Sequence, residues 1–208
     1  MKNTISIFIL FYAISLSAQT YNFDYKLKIR NVNPKTAKVY TVQYILNSEN
    51  SNYDIYVYGD KGTLLDSERN ITREFNYSID VNNRVTYQFF QHTPFRPTDE
   101  RKINHIIVEK IGENQYSIKC FPTKKSKTPN LEIEVQLKAY NGDFIRFYYL
   151  DLSKNIHMKL TNSLKEALNS NFNYVIESYT VDYKNGAVRN NSLEKIEKIN
   201  LTIAPHDN

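Results

Sequence analysis

Apolar and polar side chains alternate along most of the chain after residue 20. The first such run extends from Tyr21 to Arg30, where aromatic and aliphatic residues alternate with polar ones. A period of two predicts a β-strand with one buried face and one solvated face. Similar runs, separated by short turns, recur to the end of the chain and predict about ten strands. The pattern therefore predicts a mainly β protein built as an antiparallel curved sheet, half-barrel or barrel.

Asn and Gly mark the turns between these runs, because both residues tolerate the left-handed backbone that tight hairpins require. Three such dipeptides stand between alternating runs: Asn82-Asn83, Asn141-Gly142 and Asn185-Gly186. The second predicts a hairpin in which a strand over 131–139 is followed by a strand from Phe144 to Leu152. The third precedes residues 192–199, whose apolar spacing fits a helix or a strand. We expect a strand there, since an alternating run follows directly.

One segment late in the chain has helical spacing. Ser163 and Glu166 stand three residues apart, as the two partners of a capping box do. Leu164, Ala167 and Leu168 then form a short apolar stripe. The sequence predicts one short helix, about two turns long, over residues 163–169.

The N-terminal residues have the pattern of a signal peptide. Lys2 precedes an apolar run from Ile5 to Ile14, and small residues follow it up to Ala18. We predict cleavage after Ala18, which leaves residues 19–208 as a single domain. A retained membrane anchor is the alternative, but the run is shorter than the roughly 18–20 apolar residues that cross a bilayer. We therefore expect an exported protein, periplasmic or secreted to the cell surface, with no transmembrane segment after removal of residues 1–18.

The charge balance argues against a nucleic-acid partner. The chain has 27 basic and 22 acidic residues, a formal net charge of +5, and the two signs are interspersed. Lys124, Lys125 and Lys127 form the densest basic segment. We interpret this segment as a solubilising loop; attraction to an anionic surface such as lipid headgroups is the alternative.

Residues that carry catalytic or metal chemistry are sparse. Cys120 has no partner for an intramolecular disulfide, and we expect it to be buried with Tyr116 and Ile118 on one strand face. The four histidines lie far apart: His92, His105, His157 and His206. Glu132 and Glu134 share a strand side, but it is the polar one, where like charges serve solubility. We therefore predict a non-enzymatic protein with no catalytic residues, no metal site and no cofactor.

Aromatic residues supply the candidate ligand contacts. The chain has 17 Tyr, 11 Phe and no Trp. Aromatic rings on the apolar strand faces either fill the core or line a site for an apolar molecule. The candidate residues are Tyr25, Tyr44, Tyr77, Tyr87, Phe89, Phe147 and Tyr149. Two prolines predict an irregular loop over 92–97. Together with residues 122–130, this loop is a candidate surface for contact with a partner protein.

The order of elements resembles a known family. A leader, serial antiparallel strands and a late helix are followed by the closing stretches YTVDYKNG and SLEKIEKINLTI. This layout is similar to that of the periplasmic lipoprotein-carrier superfamily. The resemblance covers most of the chain after residue 18 as architecture, and it assigns no individual site residue. It implies a half-barrel sheet that wraps a helix and holds acyl chains.

Two functions compete. The first is an exported, non-enzymatic binding protein that holds an apolar or amphipathic ligand such as a lipid or acyl chain. The alternative is a structural or adhesive cell-surface protein that recognises an envelope protein partner. A transmembrane barrel shows the same alternation, but the late helix, the charged runs TDERK and TKKSK and the ending PHDN argue against it.

Overall fold

The computed structural model describes residues 19–80, 85–94 and 101–205. The predicted leader and the Asn82-Asn83 turn lie outside these ranges. The described residues form eleven strands and one helix: β1 Tyr21–Asn33, β2 Lys38–Leu46, β3 Tyr53–Tyr58, β4 Lys61–Asp66, β5 Ile71–Ile79, β6 Val85–Pro94, β7 His105–Gly112, β8 Gln115–Phe121, β9 Leu131–Ala139, α1 Lys154–Glu166, β10 Tyr174–Asp182 and β11 Val188–Ile203.

All eleven strands belong to one antiparallel sheet, which confirms the predicted fold class. The strand order is β6-β5-β4-β3-β2-β1-β11-β10-β9-β8-β7, so the first and last strands of the chain pair at the centre. The sheet is open, with β6 and β7 at its edges. The predicted hairpin between β5 and β6, the link between β10 and β11, and the strand over 192–199 are all present.

The helix begins earlier than predicted. It extends from Lys154 to Glu166, with Ser153 at its N-cap, and Ser163 lies in its last turn rather than at its start. Ile156, Leu160 and Leu164 recur every four residues and are buried against the sheet. This spacing makes one apolar stripe on a helix. Asn169 and Ser170 have φ values of 50° and 70°, and this left-handed backbone ends the helical path.

The predicted strand from Phe144 to Leu152 is wrong. β9 already pairs with β8 on one side and with β10 on the other, so it has no free edge for a third partner. Phe144 forms only an isolated bridge to Val175. The segment instead crosses over the sheet and buries most of its apolar side chains: Phe144, Ile145, Phe147, Tyr148, Leu150 and Leu152.

The predicted loop over 92–97 is also partly wrong. His92 to Pro94 continue β6 and pair with β5, while residues 95–97 lie outside the described ranges. Pro94 is compatible with this position because β6 is an edge strand, where a missing N–H breaks no further pairing.

The buried residues within the described ranges form three clusters. The first contains α1 and the inward side chains of β7–β10, including Cys120, whose predicted burial is confirmed. Burial raises the pKa of the Cys120 thiol to about 12. The second joins β3–β6 with the ends of β1 and β11, and the third lies between them. Tyr44 and Leu46 belong to the third and their neighbour Ile45 to the second, so adjacent residues of β2 contribute to opposite sides of the sheet.

Candidate functional site

The seven aromatic residues proposed from the sequence do not come together in one site. Tyr77, Tyr87 and Phe89 pack in the second cluster, around the fully buried ring of Phe75. Their ring centroids lie 5.1–5.7 Å from neighbouring rings, the distance of direct aromatic packing. These three rings are therefore part of the packing of the second cluster.

The other four aromatic candidates are distributed over the rest of the sheet. Tyr25 and Tyr44 belong to the third cluster, where they contact Phe144 and Tyr148 respectively. Phe147 lies in the first cluster and packs on Tyr179. Tyr149 stacks on Tyr56, with ring planes 10° apart. None of the seven lines either of the two surface hollows described below.

The first hollow is a polar groove on one face of β8, β9, β10, β11 and β1. Its floor is a row of directly opposed residues that crosses all five strands: Gln115, Gln136, Ser178, Ser192 and Arg30. A second row runs beside it through Glu134, Thr180, Asn190 and Val32. Opposed residues of a sheet share one face, so the two rows form a continuous polar surface.

Two irregularities in strand pairing lie next to the first row. The register of β10 against β9 shifts between Ile176 and Ser178, and that of β11 against β1 shifts between Lys28 and Ile29. Bulges of this kind increase the local twist of a sheet and redirect side chains. The surface is accordingly concave, with a volume of about 420 Å³.

The groove is mostly neutral inside and charged at its borders. Arg30 and Glu134 are its two ionic side chains, and they have opposite signs. Four ion pairs lie on the strands that form the groove or in the turn after β10: Lys28–Glu194, Lys26–Glu197, Lys138–Glu177 and Lys184–Glu132. The floor between Arg30 and Glu134 carries short Ser and Thr side chains, which leave it open. This arrangement suits hydrogen bonding to a polar molecule and supplies neither a paired acid and base nor an activated nucleophile.

Sequence reasoning missed this groove for a physical reason. Its residues lie on the wet side of five alternating runs, where polar side chains are expected without any function. The strands that form the groove come from both ends of the chain. The spacing of residues within one strand therefore cannot predict that Arg30 lies opposite Ser192.

A half-buried carboxyl group, that of Asp54, lies on β3 outside the groove. One oxygen of the Asp54 carboxyl, Oδ1, is buried without a hydrogen-bond partner among the described residues. The carboxyl group as a whole does interact with the Tyr44 hydroxyl, which acts as the hydrogen-bond donor. Burial raises the pKa of Asp54 to about 6; the Tyr44 bond and the charges of Arg146 and Lys154 oppose that rise. The Arg146 guanidinium donates 3.1 Å hydrogen bonds to the backbone carbonyls of Asn47 and Ser48. The cluster thus joins the crossing segment to the β2–β3 turn.

The histidines and carboxylates do not form a metal site in the described part of the chain. Within residues 19–80, 85–94 and 101–205, no three His, Cys, Asp or Glu side chains converge. His157 packs with its Nε2 3.1 Å from the Leu150 carbonyl, and burial lowers the pKa of its imidazole. α1 is too short and too polar to cross a bilayer, and it is the one helix found in those ranges.

Comparison with protein families and with curated protein sequences assigns no relationship. No protein-family model matches the chain, and no curated protein sequence is similar to it.

Proposed function

We propose that the chain is an exported, non-enzymatic binding protein that recognises an extended, polar segment of an envelope or cell-surface protein through the polar groove. The observation that carries the proposal is the cross-strand row from Gln115 to Arg30, in which every side chain can form hydrogen bonds. Of the two functions that the sequence predicts, this is the adhesive one, with a different contact surface.

The dimensions of the groove fit a polypeptide segment. Five neighbouring strands span roughly 19 Å from the first to the last, because adjacent strands lie about 4.8 Å apart. An extended peptide of about six residues has that length. Its backbone amides would meet Gln, Ser and Thr side chains, which both donate and accept hydrogen bonds.

The two ionic residues favour one orientation of the partner. Arg30 ends the first row on β1, while Glu134 lies three strands away on β9, two residues before Gln136. A segment with an acidic side chain near Arg30 and a basic one near Glu134 would be complementary, and the reversed segment would meet like charges. Electrostatic complementarity of this kind adds more to specificity than to affinity.

The proposal is tested by filling the groove. Ser178→Arg combined with Ser192→Arg places two long cationic side chains on adjacent positions of the row. We expect binding of the purified protein to immobilised envelopes of the producing cells, measured by surface plasmon resonance, to weaken at least about tenfold. The matched control is Ser78→Arg with Thr86→Arg, an exposed cross-strand pair at the other end of the sheet, which should bind normally.

Two results would contradict the proposal. Equal binding by the groove variant and the control pair would remove the groove from the interaction. Undiminished binding to protease-treated envelopes would show that the partner is not a protein.

The lipid-binding function stays a prediction of the sequence and needs its own measurement. Because the seven aromatic candidates pack against other rings, we expect no saturable uptake of a fluorescent fatty acid by the purified protein. Saturable uptake, together with co-purified lipid detected by mass spectrometry, would favour the carrier function instead.

A further inference from the structure

A second hollow lies away from the groove, where the end of β9 meets the start of β10. It is shallow, has a volume of about 500 Å³, and is lined by Ala139, Tyr140, Asn141, Asn171, Asn173 and Tyr174. This Asn-Tyr hollow contains two aromatic rings and three carboxamides and no charged side chain. Its volume is within the range of small-molecule sites, about 300–1,000 Å³.

The side chains of the hollow have unused hydrogen-bonding capacity. The carboxamides of Asn141 and Asn173 and the hydroxyls of Tyr140 and Tyr174 form no hydrogen bonds with other described residues. Asn171 uses only its Oδ1, which accepts a 3.2 Å bond from the backbone N–H of Asn173. A carboxamide offers two donor hydrogens and an acceptor oxygen. The hollow therefore presents several donors and acceptors to a ligand that has both.

The backbone around the hollow is held in place. The N–H of Tyr140 donates to the Asn173 carbonyl at 2.9 Å, and the N–H of Phe144 donates to the Tyr174 carbonyl at 2.9 Å. The ring of Tyr140 packs edge-to-face on Phe144, with centroids 5.1 Å apart, and Phe144 is itself buried. A ligand would therefore meet rings and amides whose supporting backbone is already ordered, which lowers the entropic cost of binding.

The absence of charge in the lining restricts the class of ligand. Two lysines close to the lining in sequence or in contacts are already paired: Lys138, next to Ala139, with Glu177, and Lys165 with Asp143. A phosphate or carboxylate ligand would find no unpaired cation in the lining, and a purely apolar ligand would bury free carboxamides at a cost. A neutral sugar ring suits this lining. Its C–H face packs on an aromatic ring, and its hydroxyls both donate and accept hydrogen bonds.

We infer that the Asn-Tyr hollow is a binding site for a neutral saccharide, separate from the polar groove. The ligand is recognised by its uncharged hydroxyls at Asn141 and Asn173, with Tyr140 and Tyr174 as apolar contacts. Because the hollow is shallow, binding of a single saccharide is weak, with a Kd of about 0.1–1 mM.

The test uses neutral oligosaccharides with the full chain. Saturation-transfer NMR and calorimetry with glucose, galactose, mannose and N-acetylglucosamine oligomers identify binding, and Asn141→Ala combined with Asn173→Ala should weaken it about tenfold or more. The matched control is Asn76→Ala, an exposed strand carboxamide far from the hollow, which should leave the affinity unchanged. An unchanged thermal unfolding midpoint establishes that each variant is folded.

The outcomes separate this inference from the proposed function. No detectable binding of any neutral oligosaccharide up to about 10 mM, or equal binding by the double variant, overturns the inference. Displacement of the sugar by a nucleoside rather than by another sugar also overturns it, since that result identifies a stacking site for bases. The Ser178→Arg and Ser192→Arg variant should bind sugar normally, so loss of one activity leaves the other intact.

Discussion

The Nδ2 of Asn31 donates a 2.7 Å hydrogen bond to Oδ1 of Asn191, across the central strand pair β1 and β11. Both side chains are almost completely buried, with exposed fractions of 1% and 3%. The other two amide atoms, Asn31 Oδ1 and Asn191 Nδ2, are buried without partners among the described residues. The pair therefore contributes one hydrogen bond and leaves two buried polar atoms unsatisfied.

Removing one member of this pair should cost more than removing both. Asn31→Leu leaves the Asn191 carboxamide buried without its partner, and we expect the free energy of unfolding to fall by about 1–3 kcal/mol. Asn31→Leu with Asn191→Leu removes every unsatisfied atom and should recover most of that loss. Urea unfolding followed by circular dichroism measures both. A double variant less stable than the single one would show that the two amides stabilise the fold.

The carboxyl of Asp54 should make stability depend on pH. Its folded pKa of about 6 lies above the ordinary 3.8, so the folded state binds the proton more tightly. The associated stability is present below pH 3.8 and is lost as pH rises through about 6. Asp54→Asn should therefore be more stable than the original chain above pH 7, by up to roughly 3 kcal/mol.

Denaturant unfolding between pH 4 and pH 7.5 provides the measurement. The control is Asp60→Asn, the same substitution at an exposed residue of the β3–β4 turn, which should not produce the gain in stability expected of Asp54→Asn above pH 7. If Asp54→Asn keeps the same profile as the original chain, Asp54 does not titrate in this range.

Gly62 is required by the ring of Phe75. The two residues are directly opposed on β4 and β5, and a Cβ at Gly62 would overlap the Cε2 and Cζ atoms of the buried ring. We expect Gly62→Ala to lower the free energy of unfolding by about 1–3 kcal/mol, because the packed interior resists added volume. Adding Phe75→Leu should reduce the cost of the alanine. Without such coupling in the double-mutant cycle, the loss at Gly62 would come from the backbone instead.

The predicted signal peptide can be tested at its cleavage site. If the chain is cleaved after Ala18 as predicted, Gln19 should be the first residue of the mature protein, and N-terminal sequencing of the purified protein measures it. Ala18→Asp replaces the small side chain at the cleavage site and should leave the uncleaved chain in the membrane fraction. An original chain that keeps residues 1–18 in the envelope would favour the anchor instead.

The strand rhythm could be derived from the sequence because burial of every second residue depends only on the pleat of the strand itself. Tyr21, Leu27 and Ile29 are buried, whereas Lys28 and Arg30 are exposed, as alternation predicts. The Asn185-Gly186 turn is equally local, since it depends on the conformations that two residues tolerate. The apolar spacing of Ile156, Leu160 and Leu164 is also local and indicates a helix. The prediction placed the helix start at Ser163 because Ser163 and Glu166 have the spacing of a capping box.

Only the tertiary structure decided which elements are neighbours. Residues 144–152 have the composition of a strand, yet β9 had no free edge to receive them. The partners Asn31 and Asn191 are 160 residues apart, and the groove row takes its side chains from five strands. Which strands pair depends on the edges that all the other strands leave free. The alternation of buried and exposed residues depends on one strand alone. The sequence thus determined the strands and their buried faces, and the order of strands in the sheet determined both hollows.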